Sequence, residues 1–383
     1  MKRRSQSNHL ILLAALLPGV GHMVLGKRGR GIRLLVVTIA VILILYWRWE
    51  VFVSAFHSTR IDHWLAAVFL IVSLAASVTY SVWDVRRLLT EIPMATRGKS
   101  PYRFARRRFR ANRLAVTAVY VITAFYILAI LAPLLAPYDP SAITDVLKTR
   151  FLPPSMDHPF GTDAFGRDLL SRALYGARVS LSVGLLAVTI AISMGTFYGA
   201  VAGYFGGLID NVLMRIVDIV IAIPTFFLML MLVGIFEANL VFLVLILGLT
   251  SWPGTARFIR GEILSLKQRE FTEAARAIGL PNRLIIFRHL IPNALSPVLV
   301  STALMIGGMI GAEAGLSFLG IGIRPPTPSW GNMISQGKDA LLVAWWVAFF
   351  PGALLALTVV CFNLLADGIR DALDPKALMQ RFV

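Results

Sequence analysis

The 383-residue sequence is poor in charged residues. Lysine, arginine, aspartate and glutamate make up 15% of the chain, whereas about 25% is usual in soluble domains. Hydrophobic residues make up 57%, and the mean hydropathy is +0.75. This composition excludes an ordinary soluble domain and predicts an all-α polytopic membrane protein.

Cysteine and catalytic motifs are also scarce. The single cysteine, Cys361, excludes an intrachain disulfide framework and a cysteine metal site, so we expect a buried core thiol. The six histidines are scattered, with no His-x-x-x-His pair, and no serine nucleophile elbow is present. We therefore expect no catalytic residue, no metal site and no enzymatic activity in this chain.

A nucleotide-binding loop is absent as well. The stretch GHMVLGKR, residues 21–28, comes close to a phosphate-binding loop, but Arg28 stands where serine or threonine would hold magnesium. An apolar run, not a strand, precedes it. The chain is therefore predicted to bind no cofactor itself.

Acidic residues are few, 20 against 37 lysines and arginines, which gives a net charge of +17. Nucleic acid is one class of partner for such a chain, but the basic residues cluster beside apolar segments, as cytoplasmic loops of membrane proteins do. We therefore expect contact with membrane lipid and no nucleic-acid partner. Residues 84–113 contain ten lysines and arginines, which places this stretch in the cytoplasm.

Eight apolar segments are close to the roughly 20 residues that a transmembrane helix needs. They are residues 32–53, 64–82, 114–135, 179–202, 216–236, 240–256, 294–319 and 343–365. A shorter run, residues 9–25, is broken by Pro18-Gly19 and is predicted to be a re-entrant or interfacial hairpin. We divide the chain into a two- or three-helix N-terminal module at 1–98, a basic cytoplasmic linker at 99–113 and a six-helix core at 114–375.

The orientation of the core follows from the cytoplasmic stretch 84–113. Counting spans from there places residues 136–178 and 320–342 outside, and residues 257–293 and the C-terminus in the cytoplasm. The loop 257–293 contains seven arginines and lysines, which agrees independently with this orientation.

The cytoplasmic loop contains the stretch REFTEAARAIGL, residues 269–280. On a helix, four of its residues share one narrow apolar stripe at positions i, i+3, i+4 and i+7, namely Phe271, Ala274, Ala275 and Ile278. The small centre of the stripe would let another protein surface approach closely. A helix resting on lipid is the alternative, although such helices usually carry bulky residues along the stripe.

The same loop resembles the EAA loop of ABC importer permeases. Glu273-Ala274-Ala275 is followed by Gly279 and then by HLIP at 289–292, which is close to the pattern E-A-A, G, I-x-L-P. His289 and Ile291 depart from that pattern, but the glycine and proline spacing is intact.

Three further stretches are similar to the second permease of oligopeptide, dipeptide and nickel importers. They are HPFGTDAFGRDLLSRALYGARVSL at 158–181, GAEAGLSFLGIGIRPPTPSWGNMI at 311–334 and NLLADGIRDALDPK at 363–376. The resemblance covers residues 105–376 and leaves 1–98 outside, where residues 18–31 resemble only the glycine-rich hairpins of small two-helix membrane modules.

The resemblance implies a type I ABC importer permease that translocates peptides or similar small solutes across a bacterial or archaeal cytoplasmic membrane. It implies three kinds of partner: a second homologous permease, cytoplasmic ABC ATPases that bind ATP and magnesium, and an extracytoplasmic solute-binding protein. The residues expected to couple this chain to the ATPase are Phe271, Glu273, Ala274, Ala275, Ile278 and Gly279.

Glu313 lies inside a predicted span and is a candidate intramembrane polar site. It is either a structural carboxylate or, in an alternative function, the carrier of an ion- or proton-coupled secondary transporter. A third alternative is a scaffold or sensor dominated by residues 1–98.

Two further groups of charged residues lie outside these motifs. The external residues Asp163, Arg167, Asp168 and Arg172 could form an ion-pair network or dock a substrate-carrying protein. At the cytoplasmic side, Asp210, Arg215 and Asp218 are expected to pair locally.

Overall fold

The computed structural model describes residue 14 and residues 18–25, 27–55, 61–90, 101–143, 145–236 and 239–373. Within these ranges the regular elements are helical, apart from one isolated bridge between Thr162 and Asp168. The helices, named α1 to α17, are Val20–Val24, Arg28–Trp47, Trp49–Ala55, Ile61–Thr90, Pro101–Ala111, Arg113–Ile130, Ala132–Leu135, Val146–Thr149, Leu169–Phe205, Gly207–Ala222, Thr225–Ile235, Leu240–Lys267, Glu270–Ala277, Asn282–Leu284, Ile291–Phe318, Trp330–Lys338 and Trp346–Leu373.

Seven of these helices are long and apolar enough to cross a membrane, and α10 with α11 passes the same test as a bent pair, which is either one broken span or a re-entrant loop. These elements correspond to the eight apolar segments, so the prediction of an all-α polytopic protein is confirmed. Of the predicted hairpin at residues 9–25, the structure describes residue 14 and residues 18–25, which include the short helix α1, and the rest lies outside the described residues.

The break between α10 and α11 bends the chain by 84°. Ile223 is extended, with ψ of 123°, and Pro224 follows it. Proline has no N–H to donate and disfavours a helical conformation in the residue before it. The local sequence therefore explains why the apolar segment 216–236 is not one straight helix.

One compact unit comprises Met1–Ser100 and Ile130–Leu135. Its apolar core joins Val41 of α2 and Leu70 of α4 to Leu131 and Leu134. Three polar side chains form a second cluster in this unit. Asp84 lies 3.0 Å from His22 Nε2 and 3.1 Å from Arg30 Nη1, and both Asp84 and His22 are buried.

The second unit comprises Pro101–Ala129 and Ala136–Val383. Its centre is the pair α9 and α12, which pack through a glycine stripe on α9 at Gly195, Gly199 and Gly203. A β-carbon at Gly199 would lie 2.3 Å from the carbonyl oxygen of Ala256, and one at Gly203 would lie 2.9 Å from that of Arg260. Small residues thus let the two backbones approach closely, as is common between membrane helices.

The basic stretch predicted as a linker at 99–113 contains a helix, α5. Phe109 of α5 lies against Gly368 of α17, where a β-carbon would be 3.1 Å from the phenylalanine ring. Arg106, Arg107 and Arg110 are exposed. The segment is therefore an amphipathic helix packed on the core, because its aromatic residue and its arginines lie on different faces.

A π-helical turn, Ile285–Leu290, connects α14 to α15. In an unbroken α-helix the ring of Pro292 would clash with the carbonyl of Arg288. The ladder widens instead, and the N–H of Ile291 donates to the carbonyl of Ile286, five residues earlier. Proline chemistry thus places an irregular turn between the EAA-like loop and a membrane span.

Candidate functional site

The EAA-like stretch forms the short helix α13, Glu270–Ala277. Glu270 and Glu273 lie in its first turn, where negative charge is favourable to a helix. Gly279 adopts a φ of +77°, and two bonds close the end of the helix. The N–H of Gly279 donates to Arg276 O at 2.9 Å and that of Leu280 to Ala275 O at 3.1 Å, which is a Schellman motif.

The apolar stripe of α13 is divided between two faces. Phe271 is 40% exposed and Ile278 is 77% exposed, with Ala274 exposed between them. Glu273 and Gly279 are also exposed. We call Phe271, Ala274 and Ile278 the outer face of α13. This face is an accessible apolar surface on the loop between α12 and α15.

Ala275 does not belong to the outer face, which corrects the expectation that all four stripe residues meet a partner. It is buried with Ile263 and Ile285 of this same chain. Beside it, Thr272 is also buried, and its hydroxyl donates to Leu266 O at 2.8 Å. Ala275 and Thr272 therefore attach α13 to its own permease, since the small alanine lets the helix approach α12.

Tyr204, near the end of α9, was not singled out by the sequence patterns. Its hydroxyl donates to Asn282 Oδ1 at 2.7 Å, and its carbonyl oxygen accepts from Lys267 Nζ at 2.6 Å. The Arg276 guanidinium lies 5.4 Å from the centre of its ring. Tyr204 thus contacts α13 and both flanks of that helix.

Two ion pairs join α10 to the C-terminal half of α12. Arg260 donates to both carboxylate oxygens of Asp210, at 2.5 and 2.6 Å, and Arg257 donates to Asp218 at 2.5 Å. The expectation of local pairing was thus incomplete, because both aspartates pair with another helix and Arg215 takes part in neither pair.

Glu313 is completely buried near the outer end of α15. Its two carboxylate oxygens accept hydrogen bonds from Ser180 at 3.0 Å and from Ser317 at 2.8 Å. Each serine hydroxyl in turn accepts a backbone N–H, that of Trp330 at 3.2 Å and that of Ile323 at 3.1 Å. The carboxylate thus joins α9 and α15 to the external segment that follows α15.

No lysine or arginine nitrogen of the described residues lies within 4.0 Å of Glu313. Hydroxyl donors at both oxygens account for its burial, because buried polar groups are stable when they are hydrogen-bonded. This geometry favours the structural reading of Glu313 over the ion-carrier reading.

Three of the external charged residues form one buried cluster. Asp163 Oδ2 lies 2.7 Å from Arg167 Nε and 3.5 Å from Arg172 Nε. Both guanidinium groups also donate to Gln336 Oε1, at 3.2 and 3.3 Å. The cluster therefore ties the external loop to α16.

Asp168 has a separate role as the N-cap of α9. Its carboxylate accepts the N–H of Ser171 at 2.7 Å and lies 2.9 Å from His158 Nδ1. Asp163, Arg167, Asp168 and Arg172 are all buried. Their burial favours the ion-pair network, since buried side chains do not contact a docked protein in this conformation.

Within the residues that the structure describes, no three histidine, cysteine, aspartate or glutamate side chains are grouped so that they could hold a metal ion. In the polar clusters described above, the charged side chains pair with other side chains of the same cluster. The accessible feature among the predicted site residues is the outer face of α13.

Two family profiles match the chain. The profile described as "Binding-protein-dependent transport system inner membrane component" matches residues 195–378, and "N-terminal TM domain of oligopeptide transport permease C" matches residues 100–154. The first range includes α13, Glu313 and the glycine pair of α9 at Gly199 and Gly203. Residues 1–99 lie outside both matched ranges.

Several curated proteins are similar over most of their length. The oligopeptide transport system permease protein OppC of Haemophilus influenzae is 42% identical over 285 residues, 74% of this chain and 91% of that protein. The dipeptide permease protein DppC of Alkalihalophilus pseudofirmus is 42% identical over 282 residues, 72% and 90% of the two chains. The glutathione permease protein GsiD of Shigella boydii is 39% identical over 296 residues, 77% and 97% of the two chains.

The matched ranges contain the EAA-like loop, five of the six spans of the core and the end of α9, and the three relatives align over nine-tenths or more of their own length. The chain therefore belongs to the family of binding-protein-dependent transport inner membrane components, the multi-pass permease subunits of ABC transporters.

Proposed function

We propose that this chain is a permease subunit of an ATP-driven importer for short peptides or similar small solutes. The names of its relatives refer to oligopeptides, dipeptides and glutathione, which are all short peptides. The membrane is the cytoplasmic membrane of a bacterium or an archaeon, with the C-terminus in the cytoplasm.

The observation that carries this proposal is the outer face of α13. An apolar surface of Phe271, Ala274 and Ile278 on a cytoplasmic loop needs a partner that removes it from water. A cytoplasmic ABC ATPase, which binds ATP and magnesium itself, fits this requirement. ATP-driven movement of that ATPase would displace α13 and rock the membrane helices between inward- and outward-open states.

Two further partners complete the proposed transporter. A second, homologous permease would enclose the translocation path, and an extracytoplasmic solute-binding protein would deliver the solute. The broken helix α10–α11 exposes large apolar side chains, among them Ile219, Phe227 and Ile235, which suit lipid or the second permease.

Replacing Ile278 by aspartate tests this proposal directly. The permease would be co-expressed with its second permease and its ATPases, purified and reconstituted with the solute-binding protein. We expect Ile278→Asp to insert normally but to lose the ATPase on purification, because a carboxylate would occupy the apolar contact. Uptake of labelled dialanine and trialanine would fall in parallel.

Leu147→Asp is the matched control, because Leu147 is also an exposed aliphatic residue but lies in the segment predicted to be external. We expect this variant to keep both the ATPase and uptake. Retention of ATPase and uptake by Ile278→Asp would contradict the coupling role. Wild-type uptake that needs an ion gradient and not ATP would instead favour the secondary-transporter alternative.

A further inference from the structure

Resting on the proposed function, we propose that Tyr204 is a positioning residue that holds the candidate coupling helix α13 against the cytoplasmic end of α9. Movement of α13 is thereby passed to the longest helix of the molecule. Tyr204 lies outside the EAA-like motif, and its role follows from the contacts around it.

Tyr204 bridges the two flanks of the loop that contains α13. Its carbonyl oxygen accepts from Lys267 Nζ, at the last residue of α12 before the loop. Its hydroxyl donates to Asn282 Oδ1, at the first residue of α14 after the loop. Lys267 and Asn282, which flank this loop, are therefore both hydrogen-bonded to Tyr204, the first to its carbonyl oxygen and the second to its hydroxyl.

The ring of Tyr204 contacts α13 itself. The Arg276 guanidinium lies 5.4 Å from the ring centre, and Lys267 Nζ lies 5.7 Å from it. Both distances are within the range in which a cation is attracted to an aromatic ring. Tyr204 is only 5% exposed, so water weakens this attraction less than it would at a surface.

Apolar packing completes the attachment. The buried cluster that contains Tyr204 also contains Ile259 and Ile263 of α12, Ala275 of α13 and Ile285 of the π turn. Residues of α12, α13 and the π turn therefore meet at the C-terminal end of α9. A displacement of α13 that left Tyr204 behind would separate Arg276 from the tyrosine ring and open this cluster.

The helix that would receive the movement is suited to passing it on. α9 has 37 residues, so at 1.5 Å per residue it is about 55 Å long, more than the roughly 30 Å of a bilayer core. The glycines at 199 and 203 fix it closely to α12. Its other end is capped by Asp168 beside the buried external cluster. A displacement of Tyr204 is therefore transmitted along α9 to its N-terminal end, which is predicted to be external.

The test compares uptake with ATP hydrolysis in the same reconstituted complexes, using labelled trialanine as the transported probe. Tyr204→Phe removes the hydroxyl and keeps the ring. We expect it to leave ATP hydrolysis near the wild-type rate and to lower trialanine taken up per ATP by about fivefold, the effect of one neutral hydrogen bond. Tyr204→Leu, which also removes the ring, should lower this ratio further.

Asn282→Ala removes the other partner of the same hydrogen bond. It should lower the ratio as much as Tyr204→Phe does, and the double variant should be no worse than either single variant, because all three lack one interaction. Tyr198→Phe is the control. Tyr198 lies on the same helix, and its ring centre is 4.6 Å from that of Trp252 in a tilted arrangement, outside the cluster of Tyr204, so the ratio should not change.

A purely structural role would lower uptake and hydrolysis in the same proportion. Either that result or an unchanged ratio of trialanine uptake to ATP hydrolysis in both Tyr204→Phe and Asn282→Ala overturns the inference, provided that the wild type imports peptide with ATP. A wild-type complex without ATP-dependent uptake overturns the proposed function itself, and this inference with it.

Discussion

Glu313 illustrates at the scale of one residue how a carboxylate can be buried in a membrane protein without a nearby cation among the described side chains. Two serine hydroxyls donate to it, and each hydroxyl is held by a backbone N–H. All these donors come from helices or from the segment that follows α15. The residue therefore fixes the relative position of those elements.

Glu313→Gln should keep ATP-dependent uptake at a reduced rate. The amide keeps the size of the side chain and one oxygen acceptor, although its NH₂ group cannot accept the hydrogen bond that the second serine hydroxyl donates. Uptake in proteoliposomes at clamped ATP should also be insensitive to a protonophore. Complete dependence on the proton gradient would contradict the structural reading and favour the ion-coupled alternative.

Glu313→Leu is the harsher comparison. It removes both acceptors and leaves Ser180 and Ser317 without their partner, at a cost of about 1–3 kcal/mol for each unsatisfied group. We expect a lower melting temperature of the purified permease and less uptake than for glutamine. Equal behaviour of the two variants would show that the hydrogen bonds contribute little.

Neighbouring alanines of α13 should respond differently to tryptophan. Ala274→Trp places the ring on the exposed outer face, so the permease should fold normally and lose its ATPase partner. Ala275→Trp forces the ring into the buried cluster around Ile263 and Ile285, where overpacking typically costs about 1–3 kcal/mol.

The measurements for the two alanine variants are the thermal stability of the permease alone and co-purification of the ATPase. We expect only Ala275→Trp to lower stability. The opposite assignment, with Ala274→Trp destabilised and Ala275→Trp stable, would mean that α13 faces the other way.

At the scale of helices, the close contact of α9 with α12 depends on glycine. Gly199→Ala should lower the thermal stability of the detergent-solubilised permease, because its β-carbon would lie 2.3 Å from a backbone oxygen that cannot rotate away. The two helices would have to separate, at a cost of about 1–3 kcal/mol.

Gly261→Ala is the control for the same substitution on α12. No described atom lies within 4 Å of a β-carbon at Gly261, and alanine favours a helix over glycine by up to about 1 kcal/mol. This variant should be as stable as the wild type or more stable. Equal losses for the two variants would show that the close contact at Gly199 does not explain the effect.

Hydropathy predicted the membrane elements well and their ends poorly. The apolar segment 179–202 marks only the middle of α9, which begins ten residues earlier because Asp168 caps it at the external side. Similarly, α12 continues past residue 256 to Lys267. Apolar composition reports contact with lipid, so the polar turns that extend a helix beyond the hydrocarbon core leave no such signal.

The site was predicted in part. Motif spacing located α13 and its terminating glycine, but periodicity could not tell which stripe residue faces this chain and which faces a partner, so Ala275 was misplaced. Tyr204 was missed because a tyrosine at the end of a span is also typical of the membrane interface. Its contacts depend on residues more than 60 positions away, which local patterns do not relate.

For the molecule as a whole, residues 1–98 are proposed to be an appended module. Deleting them, with a new start before Lys99, should leave a core that inserts with its N-terminus in the cytoplasm, because the arginines of α5 remain to orient it. Leu131 and Leu134, buried in the first unit, would become exposed to lipid, which costs little for apolar side chains.

Protease accessibility of an N-terminal tag would report the orientation, and co-purification of the partner subunits would report assembly. We expect both to match the full-length chain. Loss of insertion or of assembly would mean that residues 1–98 are integral to the permease. A scaffold or sensor function of this unit predicts instead that uptake persists and its control is lost.

The π turn at Ile285–Leu290 has a consequence for how related chains could diverge. A π turn contains one residue more than the α-helical turn that could replace it. Removing that residue in a relative that also lacks Pro292 would restore the α ladder and rotate the preceding segment by about 100° around the axis of α15. The outer face of α13 would then point in another direction. Single-residue insertions and deletions in this turn, and not substitutions alone, are therefore the changes by which a relative could re-aim this helix toward a differently shaped ATPase.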